Sequence, residues 1–157
     1  MNSVEAINVL RNSLRTNLPD PYTYAGATAR DGSTYIFSDE PVSVSRYPII
    51  QLKKLENPTE ILNIGYTYTE RERLIVNIWF SSKNGFKATI SGTEYTNAQL
   101  VEYYLGLIKR TLKAQAAVLH TAGVIGYHHL NTTPPAYDDA TQLYYGCVTI
   151  QVEYYVI

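Results

Sequence analysis

Few side chains in this 157-residue chain could carry chemistry: three histidines, one cysteine and an adjacent pair of aspartates stand out. His128 and His129 are neighbours in a stretch with strand patterning. That sends their rings to opposite faces and keeps them from converging on one metal ion. His120 follows the end of a long helical pattern, where partial positive charge suits the helix dipole. A zinc site needs further Cys or His ligands at suitable spacing, and the chain offers none. Cys147 is the sole cysteine, which excludes an internal disulfide. Its position between Tyr145 and Val148, at the start of a strand pattern, reads as a small buried hydrophobe rather than a nucleophile. Asp138-Asp139 lies in a proline-containing loop and reads as a solvated turn, not as a carboxylate pair for acid–base work or cation binding. Gly123-Val124-Ile125-Gly126 lacks the residues and context of a phosphate-binding loop. No Ser/His/Asp set stands at a recognisable spacing. The residues therefore imply no catalytic group, no metal and no cofactor.

Composition narrows the partners. The chain has 13 basic and 14 acidic residues, for a net charge of −1. Nucleic-acid recognition requires clustered Lys and Arg, and this balance supplies no such footprint. The densest charge run, Glu70-Arg71-Glu72-Arg73, alternates in sign and reads as a solvated turn or edge. The N-terminal apolar pattern is interrupted by Glu5 and Arg11, so no signal peptide is read there. No apolar run approaches the ~20 residues that span a bilayer, so a soluble protein made in the cytoplasm is expected. Tyrosine is heavily used, with 15 residues against 3 phenylalanines and 1 tryptophan. Its ring is apolar and its hydroxyl polar, a combination suited to protein interfaces as well as to half-wet sheets.

The elements that must position these residues centre on Thr96–Leu119. Leu100, Tyr103, Tyr104, Leu107, Ile108, Leu112 and Gln115 recur every three or four residues. That spacing predicts one amphipathic helix, with Thr96 and Gln99 as a capping box. A shorter helix is predicted over Ser3–Thr16, with Val4, Ile7, Val9 or Leu10, Leu14 and Leu18 inward. Ser3 is its expected N-cap, and Pro19 ends it.

Residues 19–47 read as an irregular arm with one short strand at Ser33–Phe37, and such length is unusual inside a compact domain. Strands are predicted at Pro48–Leu52, Ile61–Thr69, Leu74–Phe80, Gly123–Leu130 and Tyr144–Val156, with a brief return at Phe86–Ile90. In the last of the long strands Val148, Ile150, Val152, Tyr154 and Val156 share one face. The fold class expected is α+β: an antiparallel or mixed sheet of about five to six strands with two α-helices on one face. Residues 1–157 read as a single domain, with a proline-containing loop at about 131–142.

Several segments resemble the tail terminator, or tail-completion, proteins of long-tailed bacteriophages and related archaeal viruses. They are the N-terminal helix, Tyr47-Pro48-Ile49-Ile50-Gln51-Leu52, and RLIVNIWF (73–80) ending in SSKNG (81–85). NAQLVEYYLGLIKRTL (97–112) and CVTIQVEYYVI (147–157) complete the set. The resemblance implies a structural protein of the virion tail or neck, made in the host cytoplasm. It further implies a homo-oligomeric ring, usually a hexamer, at the head-proximal end of the tail tube. Its implied partners are the tail tube protein and the head connector or neck protein. DNA would be only passing cargo in the lumen, and neither membrane nor cofactor is involved. The rival readings are a neck or stopper ring, and a small-molecule module binding on the sheet among Trp79 and the tyrosines. For a ring, the expected interface comprises a sheet edge and the arm, with Tyr22, Tyr24, Tyr35, Phe37 and Tyr137 as contact residues. Deleting Tyr22–Asp31 is then expected to weaken assembly while sparing the monomer.

Overall fold

Fourteen residues of alternating side chains, Glu70–Lys83, pair antiparallel along their whole length with Leu143–Val156 in the computed structural model. The structure describes residues 1–38, 46–55, 61–63 and 70–156, with backbone alone at 61–63 and 70. In chain order the elements begin with α1 (Ser3–Asn17), α2 (Pro21–Tyr24), a 3₁₀ turn (Gly32–Thr34) and β1 (Ile36–Phe37). Then come β2 (Ile49–Lys54), β3 (Ile61–Asn63), β4 (Glu70–Lys83), β5 (Lys87–Ile90) and β6 (Thr93–Thr96). The chain continues through α3 (Asn97–Ala114), α4 (Ala116–Thr121), β7 (Val124–Thr132), β8 (Ala136–Asp138) and β9 (Leu143–Val156).

The main sheet has the order β1-β2-β4-β9-β7, with β3 also on β4 and β8 also on β9. β3 pairs with β4 at 70–72, beyond the end of β2, and β8 pairs with β9 at 143–145, beyond the end of β7. Seven strand segments thus fill five rows. The sheet is mixed because β1 runs parallel to β2. The expected α+β class is the observed one.

Period-two patterning decides which face is covered. Leu74, Val76, Ile78 and Phe80 of β4 lie beside Val152, Ile150, Val148 and Gly146 of β9. These side chains, with Ile50 and Leu52 of β2, are almost wholly buried beneath α1 and α3. Each fully buried Leu, Ile or Phe contributes roughly 1.5–3 kcal/mol, so this layer is the main source of stability. From α3 come Leu100, Val101, Tyr104, Leu105, Ile108 and Leu112; from α1 come Ala6, Ile7, Leu10 and Leu14. Tyr104 stacks on Phe80 with ring centroids 4.7 Å apart, and its hydroxyl donates to the Pro19 carbonyl at 2.8 Å. At Gly146 a Cβ would lie 2.7 Å from the Leu105 side chain and 3.0 Å from that of Val101, so the helix rests on bare backbone there.

Local details depart from the sequence reading. The N-cap of α1 is Asn2 rather than Ser3, in a reciprocal capping box with Glu5, and Val4 points outward at 59% exposure. The Thr96–Gln99 capping box does not form. Thr96 is the last residue of β6, and its hydroxyl donates to the Phe86 carbonyl instead. The single helix expected to Leu119 breaks at Gln115, and α4 turns to lie against α1 and β7. Phe86–Ile90 returns not onto β4 but into a separate hairpin of β5 and β6. Of the two readings of Glu70–Arg73, turn or edge strand, the strand is the observed one. It is not at an edge, since it pairs with β9 on one side and, over 70–72, with β3 on the other. Beyond Asn63, the strand expected at Ile61–Thr69 lies outside the described residues.

The described part of the arm, residues 19–38 and 46–47, is folded down rather than free. Asp20 is buried, caps α2 by accepting from the Tyr22 N–H, and accepts the Arg30 N–H at 2.6 Å. The Arg30 guanidinium meets both Asp20 oxygens, at 2.8 and 3.0 Å, and donates to the carbonyls of Pro48 and Arg46. The same guanidinium lies between the rings of Tyr22 and Tyr35, 3.8 and 4.4 Å from their centroids.

Burial, reinforced by the Asp20 charge, pushes the Tyr35 phenol from 10.0 up to about 12. Burial also raises Tyr104 and Tyr154, the latter donating to Glu72. These phenols ionise near pH 10 in the unfolded chain and only at higher pH when folded, so the unfolded state loses protons first. Stability is complete below pH 10 and falls as pH climbs through about 12. Urea midpoints between pH 8 and 12 should drop accordingly. Tyr35→Phe should make that decline shallower by an amount on the order of 2 kcal/mol.

Candidate functional site

The face of the sheet turned away from α1 and α3 is built from the alternate positions of the same strands. Arg71, Arg73, Ile75, Asn77, Trp79 and Ser81 of β4 lie beside Tyr155, Glu153, Gln151, Thr149, Cys147 and Tyr145 of β9. Gln51 of β2 flanks Trp79, and Gly126 of β7 flanks Glu153. Apart from Cys147, these β4 and β9 side chains are half-buried, and among the described residues the core helices α1 and α3 lie on the opposite side of the sheet.

Three groups occupy this surface. Trp79 and Tyr145 make an aromatic patch, with ring centroids 6.0 Å apart. In the middle, Thr149 donates to the Asn77 carbonyl oxygen at 2.7 Å. At the far end Glu153 accepts from Arg73 at 3.1 Å and lies 3.9 Å from Arg71, whose guanidinium also sits over the Tyr155 ring. Gly126 makes room for this carboxylate, because a Cβ there would lie 3.3 Å from the Glu153 Cβ. The arrangement is shallow and mixed, with rings, amides and a fixed charge cluster spread along two strands. It can bury area against another protein, but it gathers no groups around a reacting atom.

The residues first considered for chemistry are dispersed. His128 and His129 are exposed on β7; the His129 Nε2 lies 2.7 Å from the Thr132 hydroxyl. His120 is exposed on α4. Among the described residues no group of three or more His, Cys, Asp or Glu could hold a metal ion. Cys147 is buried, and that burial pushes its thiol up, away from the reactive thiolate. Asp138 accepts from the Ala140 N–H and the Thr141 hydroxyl, the bonding of a turn.

The five tyrosine and phenylalanine positions named for an interface separate clearly. Tyr35 and Phe37 are core residues of the chain itself, 2% and 7% exposed, so they have no surface left to offer a neighbour. Tyr22 is half-buried, stacked on Phe86 and covered by Arg30. Tyr24 packs partly against the core. Tyr137 keeps 39% exposure and packs on Tyr144 beside β9. Sequence reasoning missed the Arg71–Arg73–Glu153 cluster. Its signal was the Glu-Arg-Glu-Arg alternation itself, which in a strand puts both arginines on one face.

No protein-family model and no curated protein matches the chain. Among solved structures it is similar to a chain of the virion of a native gene transfer agent particle. That likeness has 11% identity and a TM-score of 0.45, and covers 94% of this chain and 92% of that one.

The Asp20–Arg30 pin makes the arm part of the body, so deleting Tyr22–Asp31 would strip a core-facing ring and orphan a buried carboxylate. Asp20→Ala should cost about 3 kcal/mol, because it leaves the guanidinium unpaired among the rings. Chemical denaturation would measure the loss. Limited trypsin digestion should cut first at Arg30 and Arg46 in that variant and leave the wild-type chain intact there.

Proposed function

We propose that this chain is a non-catalytic structural protein of a virus-like tail, forming a ring that ends the tail tube and joins it to the head connector. The observation that carries the reading is the half-buried face of β4 and β9 turned away from α1 and α3. Its Trp79–Tyr145 patch and Arg71/Arg73–Glu153 cluster have the composition of a protein contact, rich in aromatics and arginine. The segments that resemble tail terminators coincide with α1, β2, β4, α3 and β9, the elements that build this two-layer body. Of the groups first weighed for chemistry, the one thiol is buried and the histidines stand apart on β7 and α4.

The test is light scattering of the purified protein alone, with tail tubes, and with head connector. A species of six times the 17.7 kDa chain mass, formed alone or on tubes, is the expected result. Trp79→Ala with Tyr145→Ala should abolish tube binding without lowering thermal stability by more than a few degrees. Binding to connector but not to tubes would support the neck or stopper role instead. A chain indifferent to both would end the proposal.

A further inference from the structure

A second surface stands apart from the sheet, on the outward side of α3. Gln99, Glu102, Arg110 and Lys113 are exposed there, with Gly106 between them. Glycine inside a helix costs about 1 kcal/mol relative to alanine, so its place in the middle of an 18-residue helix calls for a reason. Inside the chain the one neighbour of the vacant position is Arg110, whose guanidinium carbon also lies 5.9 Å from the centre of the Tyr103 ring. Gly106 has no left-handed backbone, and a Cβ would meet only the Arg110 guanidinium, at an ordinary 3.6 Å. Clefts of about 590 and 350 Å³ flank the helix on its two sides, one against Thr132–Pro135 and one against Thr93–Tyr95; both reach Glu102 and Gly106.

The charges on this ridge are arranged about Gly106. Four residues before it is Glu102, and four after it is Arg110; seven before is Gln99, beside Glu94, and seven after is Lys113. Neither Glu102 nor Lys113 has an ion-pair partner among the described residues. A helix laid antiparallel on an identical one, crossing at Gly106, places each residue against its counterpart equally far on the other side. Glu102 then meets Arg110 of the second copy, and Lys113 of the second copy approaches Gln99 and Glu94. Both contacts occur twice. The missing side chain at the crossing lets the axes approach closer than the usual 8–10 Å.

We infer that two copies of this chain pair through α3, antiparallel and two-fold symmetric about Gly106. Such a contact is isologous and closes at two, whereas a ring needs a head-to-tail contact. The pairing is therefore independent of the ring proposed above. It would join two free chains, or two rings face to face.

The test is a set of four variants followed by sedimentation equilibrium over micromolar to millimolar chain, at low and high salt. Wild type should dimerise, more weakly at high salt. Glu102→Arg and Arg110→Glu should each raise the dimer dissociation constant at least about tenfold, because each creates two like-charge contacts. The double variant Glu102→Arg/Arg110→Glu should return it to within a few-fold of wild type. Gly106→Leu should abolish the dimer while keeping or raising the melting temperature, since leucine is the better helix former. A wild-type chain that stays monomeric throughout would overturn the inference, as would a dimer insensitive to Gly106→Leu or a double variant no better than the singles. Rings that still form on tail tubes with all four variants would leave the ring reading standing and assign the pairing to a separate contact.

Discussion

The β4–β9 ladder is the constraint on which the rest of the molecule depends. It holds fourteen residues of each strand in one register, and period-two geometry makes that register decide everything on both faces. A slip by one position would carry Leu74, Val76, Ile78 and Phe80 to the open side and bring Arg73, Asn77 and Trp79 beneath the helices. The covered face therefore locks the uncovered one. The spacing of Trp79 from Tyr145, and of Arg73 from Glu153, follows from core packing on the opposite side of the same strands.

The high tyrosine content fits this division of labour. Tyr35, Tyr104 and Tyr154 are inside, and each carries its hydroxyl to a partner at the margin of the core: the Leu18 carbonyl, the Pro19 carbonyl and the Glu72 carboxylate. Phenylalanine would bury as much ring and lose these ties. Tyr145 and Tyr155 face outward, one beside Trp79 and one beneath Arg71. One residue type serves as wedge on one face and as contact surface on the other, which is why composition alone could not separate the two uses.

Legibility followed range. The 3.6 period of α3 and the alternation of β4 and β9 are local consequences of burial, and they could be read directly. The break at Gln115 could not, since the helical spacing continues to Leu119 and only packing against α1 and β7 turns α4 aside. Likewise the sequence from Pro19 to Tyr47 looked like a loose arm because what pins its first half is an ion pair, Asp20 with Arg30, ten residues apart and framed by two aromatic rings. Nothing periodic announces such a contact. Of the candidate site, Trp79 and the facing of the last strand were legible. The Glu153 cluster was not, because its arginines were read as a solvated turn or edge rather than as part of a strand paired on both sides.

The position of Cys147 gives the chain a property of its own. It is the one thiol present, sits opposite Trp79 across the central ladder, and is shut away from solvent with its proton held more tightly than in free cysteine. Its thiolate is scarce and unreachable while the two strands stay zipped. The molecule thus carries a silent reporter at the seam between its two longest strands, adjacent to the aromatic patch. With a thiol-reactive electrophile in solution, an event that prises the seam apart would leave a covalent mark on one known sulfur, whereas a neighbour that merely settles over the aromatic patch would leave it unmarked.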